Sequence, residues 1–238
     1  MFNFIGIGSA FNTKLGNTST FIKRGNSLFL IDCGNTVFQR IQQLGLLEGI
    51  ENLYISITHT HPDHIGSLGE VIFYCYYILK IKPTIFYPRK TLLKDILSNL
   101  GVENQMYILS ATNKVTIEDK RLGQLSLEFI PVNHVSTIPS YGLIIGYNDK
   151  LYYYSGDSND IDKKIIDKLI SGEIYRVYQD TSGLDYKDSN HLSLKKLCEK
   201  VPNNIRNKVF CMHLDRYINK DDIKCNGFNV VKIFKEDI

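Results

Sequence analysis

Cysteine is sparse and unpatterned in this chain. Cys33, Cys75, Cys198, Cys211 and Cys225 form an odd set with no CxxC pair. That argues for free thiols in a reducing compartment, and against both a disulfide framework and a cysteine-built structural zinc site. Long apolar runs are missing as well: none approaches the ~20 residues a membrane helix requires. The opening, MFNFIGIGSAF, has no basic region ahead of its apolar residues and reads as a first strand, not a signal peptide. The expected address is therefore the cytoplasm, with no membrane partner. Charge of one sign is modest too. A net +3 admits an anionic substrate but does not suggest the extended basic surface of a nucleic-acid binder. No repeat, low-complexity tract or linker interrupts the chain, and its 238 residues are expected to form one domain, 1–238.

Short strands dominate the first quarter: Phe2–Ile7, Ser19–Arg24 and Ser27–Cys33, joined by turns containing Gly and Asn. Helical spacing follows at Thr36–Leu46, then a β-branched and aromatic strand at Asn52–Thr58. Helices are expected at Ile65–Ile78 and Lys90–Leu100, with a strand between them at Pro83–Pro88. The second half has strands at Leu125–Val132, Tyr141–Tyr147, Lys150–Gly156, Glu173–Asp180 and Asn207–His213, the last being the final buried strand. Helical periods occupy Asp160–Ile170 and Leu192–Val201. Two β-rich halves, each with helices after its strands, imply an α/β (α+β) fold: a four-layer αββα sandwich.

Histidine is scarce, and its placement is the informative part. Of six histidines, three crowd with an aspartate into HTHPDH, residues 59–64. Residues two apart point to different faces of a helix but to the same side of an extended strand. His59 and His61 therefore suit a strand end. Pro62 is expected to stop regular structure there, and a turn would bring Asp63 and His64 to the same place. His, Asp and Glu are what zinc and similar ions take. His134 and His213 also close predicted strands, as do Asp157 and Asp180, and strand ends sharing one edge are where sheet proteins build sites.

HTHPDH resembles the HxHxDH motif of the metallo-β-lactamase superfamily. His134, Asp157 in YSGDS and His213 in FCMHLD are similar in order and spacing to that family's later metal positions, and LIDCG (30–34) resembles the strand-turn ahead of its motif. The resemblance spans residues 2 to about 214 and implies two divalent ions, zinc first, with manganese or iron also suited to N/O ligands. His59, His61 and His134 would hold one ion, Asp63, His64 and His213 the other, with Asp157 bridging. Two such ions share a hydroxide and clamp the oxygens of a phosphoryl group during displacement.

His191, in SNHLSLKKL, stands ahead of a helix that Asn190 or Ser193 would cap, and on its residues alone it suits a structural role. It also resembles a histidine of the ribonuclease Z-like phosphodiesterase branch, which implies a general acid for the leaving alkoxide. Asp180, in YQDTS, would be its orienting carboxylate or, alternatively, a turn residue. Asp32 is a candidate for bonding a ligand imidazole, or a plain turn carboxylate. Only 23 positions separate His134 from Asp157, and a strand pair fills them, which leaves no room for the tRNA-gripping arm of ribonuclease Z. The opening GIGSAFNTKLGNTSTFI with IDCG is similar to cyclic-nucleotide phosphodiesterases of the anti-Pycsar type. That resemblance implies hydrolysis of 3′,5′-cyclic nucleoside monophosphates by a homodimer, serving to defeat antiphage signalling. The competing readings are a ribonuclease Z-like or general phosphodiesterase acting on RNA or other phosphodiesters, a lactonase or β-lactamase, and a protein that sequesters nucleotide without cleaving it.

Overall fold

A computed structural model describes residues 2–235. The first half supplies β1 (Asn3–Gly6), β2 (Ser19–Arg24), β3 (Ser27–Ile31), β4 (Asn52–Ser56), β5 (Thr84–Phe86) and β6 (Ile108–Ser110). They form one sheet in sequence order. Its first three strands pair antiparallel and β3 to β6 pair parallel. The second half supplies β7 (Lys114–Asp119), β8 (Gly123–Pro131), β9 (Tyr141–Tyr147), β10 (Lys150–Tyr154), β11 (Ile174–Asp180), β12 (Val209–Met212) and β13 (Asn229–Val230). They form a second sheet ordered β13-β12-β11-β10-β9-β8-β7. Strands β7 to β10 are antiparallel and β10 to β13 parallel.

The helices are α1 (Val37–Gln43), α2 (Pro62–Ile65), α3 (Leu68–Tyr74), α4 (Lys90–Asn99), α5 (Lys163–Ser171), α6 (Leu194–Lys200) and α7 (Lys220–Cys225). They flank the two sheets, as expected for an αββα sandwich. Among the described residues no helix is long and apolar enough to cross a membrane.

The sheets bind each other through side chains selected by strand alternation. Phe2 meets Tyr152 edge-on at 5.2 Å, and Phe4 lies 5.3 Å from Tyr178. All five residues of β3 are buried, the signature of a strand covered on both faces. Each fully buried Leu or Ile here contributes roughly 1.5–3 kcal/mol of transfer free energy. A polar tie joins the layers near the opposite edge from the histidines. Asp119 at the end of β7 accepts from Ser27 Oγ at 2.9 Å and Tyr54 OH at 3.2 Å, both on the facing sheet.

Several expectations need correction. Pro62 does not end regular structure; it opens α2, where its missing N–H costs no helical hydrogen bond. The expected 65–78 helix is divided into α2, α3 and a π-helical turn, Cys75–Leu79. The strand ending at residue 212 is not the last, because β13 pairs with it in parallel. β6, β7 and α7 were not anticipated.

Candidate metal centre

Both sheets present the C-terminal ends of their parallel strands to one edge, and backbone bonds stitch them together there. Tyr141 N donates to Thr58 O at 3.1 Å, and Leu214 N to Ile7 O at 2.8 Å. Every expected site residue lies at this edge. The loop from β4 into α2 brings His59, His61, Asp63 and His64. His134 follows β8, Asp157 follows β10, Asp180 ends β11 and His213 follows β12. Local backbone makes the approach possible. Gly34 packs so closely on the α2 turn that a Cβ there would sit 1.9 Å from the Asp63 carbonyl oxygen. Gly156, at φ +56°, turns β10 toward Asp157. Asp32 and His213 hold left-handed backbone at φ 63° and 55°, a conformation that non-glycine residues keep where function or packing over-determines it.

The side chains converge as two clusters sharing one carboxylate. In the first, His61 Nδ1 lies 3.1 Å from both His59 Nε2 and His134 Nε2. Asp157 Oδ2 stands 3.7 Å from those same two Nε2 atoms. In the second, Asp63 Oδ2 lies 3.3 Å from His64 Nε2 and 3.2 Å from His213 Nε2. Asp157 Oδ1 completes it at 3.1 Å and 3.3 Å from the same two nitrogens. Asp157 thus turns one oxygen to each cluster.

Tautomers follow from the outer contacts. A carboxylate or carbonyl only accepts, so His64 Nδ1–H donates to Asp32 Oδ2 at 2.8 Å, and His134 Nδ1–H to Asn190 O at 3.0 Å. Thr58 Oγ1 donates to Asp32 Oδ2 at 2.8 Å, which leaves it to accept from His59 Nδ1–H at 3.1 Å. In the neutral rings each Nε2 then carries a lone pair directed into the site.

Three observations test this donor set against a metal pair. Nitrogen and oxygen ligands of a tetrahedral ion at 2.0–2.1 Å lie roughly 3.3 Å apart, close to the separations above. His64 Nε2 and Asp157 Oδ1 are buried yet make no well-directed hydrogen bond, as lone pairs aimed at a common point would. Finally, the charges call for cations. Burial, then the neighbouring imidazoles, hold His59 well below the ordinary imidazole range, and burial also lowers His61 and His134, so the first cluster offers neutral ligands. In the second, burial opposes imidazolium formation, but Asp157, Asp63 and Asp32 together push His64 well upward. Asp157 and Asp180 likewise outweigh burial and push His213 up to about 10. Burial would raise the Asp63 carboxyl, yet His64 and His213 hold it well below the carboxylate range. The residues fit two divalent ions.

His191 stands over the junction, its ring 5.1 Å from those of both His134 and His213. Its Nδ1–H donates to Asp180 Oδ2 at 2.7 Å, and it keeps 31% of its side chain exposed. Asp180 is fully buried, accepts from Ser158 N at 3.0 Å, and turns Oδ1 toward His213 Nδ1 at 3.4 Å. Ser193, not Asn190, caps α6. Both the strand-end reading of Asp180 and its pairing with His191 are therefore seen together. Asp32 is no plain turn residue: besides His64 and the Thr58 hydroxyl, it accepts from Thr58 N at 2.8 Å. Sequence reasoning missed Thr58, whose hydroxyl links Asp32 to His59, and the Asn190 carbonyl. Thr58 lay visible beside the first histidine of the motif; a backbone carbonyl leaves no trace in sequence.

Between His134 and Asp157 the chain forms only the β9–β10 hairpin and its flanking loops, with no long arm. The family described as Anti-Pycsar protein Apyc1 matches residues 1–235. The Anti-Pycsar protein Apyc1 of Paenibacillus harenae is 28% identical over 230 residues, covering 90% of each chain. That of Bacillus phage BSP38 is 29% identical over 229 residues, covering 88% of this chain and 86% of the phage protein. Among solved structures, the metallo-β-lactamase fold protein YhfI from Bacillus subtilis superposes with a TM-score of 0.72 at 16% identity, covering 98% of this chain and 95% of YhfI, a likeness of fold. This chain belongs to the anti-Pycsar Apyc1 family and has the metallo-β-lactamase fold.

Proposed function

We propose that the chain is a metal-dependent phosphodiesterase that hydrolyses 3′,5′-cyclic nucleoside monophosphates to linear monophosphates and so defeats cyclic-nucleotide antiphage signalling. The observation that carries the mechanism is the His191–Asp180 pair poised over two clusters that share Asp157. His59, His61 and His134 would hold one ion, and Asp63, His64 and His213 the other. Bound divalent ions at such a site lower the pKa of water and offset charge on phosphoryl oxygens.

The chain's own residues do the rest. The buried walls exclude bulk water beneath the ligands. Asp180 outweighs burial and raises the His191 pKa, so the imidazole carries a proton for transfer. With Nδ1–H fixed on Asp180, His191 delivers that proton from Nε2 to the departing ribose oxygen. Asp63 is a ligand whose ionised carboxylate also sets the charge of the second cluster.

Finer features belong to the same proposal: zinc as the resident metal, one domain over 1–238, a homodimer, and action in the cytoplasm of a bacterium or of a phage's host. The all-N/O ligand set supports zinc without excluding manganese or iron. The five unpaired cysteines support a reducing compartment.

The test is product analysis after incubating the zinc- or manganese-loaded protein with cCMP, cUMP, cAMP and cGMP, beside His191→Ala. The expected result is linear monophosphates from wild type and a loss of ~10²-fold or more in the variant. Intact cyclic nucleotides throughout would refute the substrate assignment.

A further inference from the structure

β10 ends in three tyrosines, and alternation sends them to opposite faces. Tyr152 meets Phe2 of the facing sheet, so Tyr154 also points between the sheets and Tyr153 points outward. Tyr154 is 1% exposed, and its hydroxyl has no hydrogen-bond partner among the described residues. A buried phenol left unpaired costs about 1–3 kcal/mol, which Phe at this position would avoid.

The surroundings suggest why the hydroxyl is kept. Tyr154 pairs in parallel register with Tyr178 of β11. Tyr178 packs on Phe4 of the other sheet, so Asp180, two residues on, shares its inward face. Asp180 Oδ1 is itself buried without a well-directed partner. Burial first, and then the charges of Asp32, Asp157 and Asp180, push the Tyr154 hydroxyl well upward, which keeps it a protonated donor facing carboxylates.

We propose that Tyr154 is a positioning residue of the metal centre, its hydroxyl bonding through one ordered water to the Asp180 carboxylate that orients His213 and His191. A water so placed would satisfy both buried groups at once. The proposal rests on reading the site as a metal centre. It gives Tyr154 an effect on metal affinity that passes through His213, without contact to substrate.

The experiment titrates metal-free protein with Zn²⁺ against a chromophoric chelator for wild type, Tyr154→Phe and Tyr153→Phe. Melting curves of the three metal-free proteins are recorded alongside. The expected result is about tenfold weaker binding in Tyr154→Phe, the lower end of what partners of ligand side chains are worth. Tyr153→Phe, altered on the outward face, should bind as wild type does, and metal-free Tyr154→Phe should still melt in one cooperative transition, which shows that the fold is intact. Unchanged affinity in Tyr154→Phe would overturn the inference and mark the hydroxyl as idle. An equal loss in Tyr153→Phe would also overturn it, by showing a general effect of β10 packing. Wild type that takes up no divalent ion would instead overturn the metal-centre reading itself.

Discussion

Asp180→Asn removes one charge and no volume, and the geometry makes its consequence specific. Oδ2 receives two donors, His191 Nδ1–H at 2.7 Å and Ser158 N–H at 3.0 Å. Oδ1 faces His213 Nδ1 at 3.4 Å. An asparagine can keep its oxygen on His191 and Ser158 only by turning its amide onto His213 Nδ1. That nitrogen must then be the acceptor, which puts the proton on Nε2, the atom facing Asp63 and Asp157. The opposite flip sets the amide against His191 and Ser158. Either way one or two charge-assisted contacts are lost, worth about 2–4 kcal/mol. At 1.36 kcal/mol per decade, kcat on a cyclic nucleotide should fall about 30- to 1,000-fold. The assay is steady-state kinetics on cCMP and on bis(p-nitrophenyl) phosphate, with metal content measured on both proteins. Nitrophenolate departs without a proton, so loss of an oriented acid should spare that substrate by tenfold or more. A fall of less than threefold on cCMP would refute the orienting role. An equal fall on both substrates with metal retained would refute the assignment of His191 as the acid.

Asp32→Asn places an amide among three donors, Thr58 N–H, Thr58 O–H and His64 Nδ1–H, and should weaken metal binding by about 10- to 100-fold in a chelator competition. Gly34→Ala brings a methyl to 1.9 Å from the Asp63 carbonyl oxygen; urea unfolding should show a loss of about 3 kcal/mol or more. Asp119→Ala removes acceptors for Arg121 N, Leu122 N, Ser27 Oγ and Tyr54 OH and should cost about 1–3 kcal/mol in thermal melts at pH 7. Although burial would raise the Asp119 carboxyl, those donors hold it below its ordinary 3.8. Its contribution is therefore fully present above about pH 3.8 and lost as the pH falls further, so the gap between wild type and variant should shrink in melts near pH 3.

What was legible in the sequence divides along a physical line. The expected bounds of Ser19–Arg24 and Tyr141–Tyr147 coincide with β2 and β9. Both are interior strands of their sheets, each followed by a turn of Gly and Asn or of Asn and Asp. The strands that were missed are β6, β7 and β13, and all three lie at sheet edges. An edge strand is shielded on one side only. In β7 a single residue, Ile117, is buried, whereas four of the six residues of β2 are; KVTIED sets its two apolar residues among charged ones, as a solvated edge strand does.

The site divides in the same way. The candidate ligands were readable because metal chemistry restricts their identity and because four of them fall within six residues. The outer contacts were readable only in part, because they are made across the fold: Asp32 was expected to bond a ligand imidazole, but which one was not legible. Asp32 reaches Thr58 and His64 across 26 and 32 positions, and the Asn190 carbonyl reaches His134 across 56. Asp180 was legible as a strand-end carboxylate and, through the family resemblance, as the partner of His191. Its second contact, with His213, appears only once β11 and β12 pair in parallel register with Asp180 opposite Met212. That pairing places the carboxylate one residue short of the histidine it faces. The same carboxylate contacts both His191 and His213, so under the proposed roles of those two residues proton delivery and metal affinity cannot be tuned independently at this position. Variants here should move both properties together, whereas changes at Asp32 should move metal affinity alone.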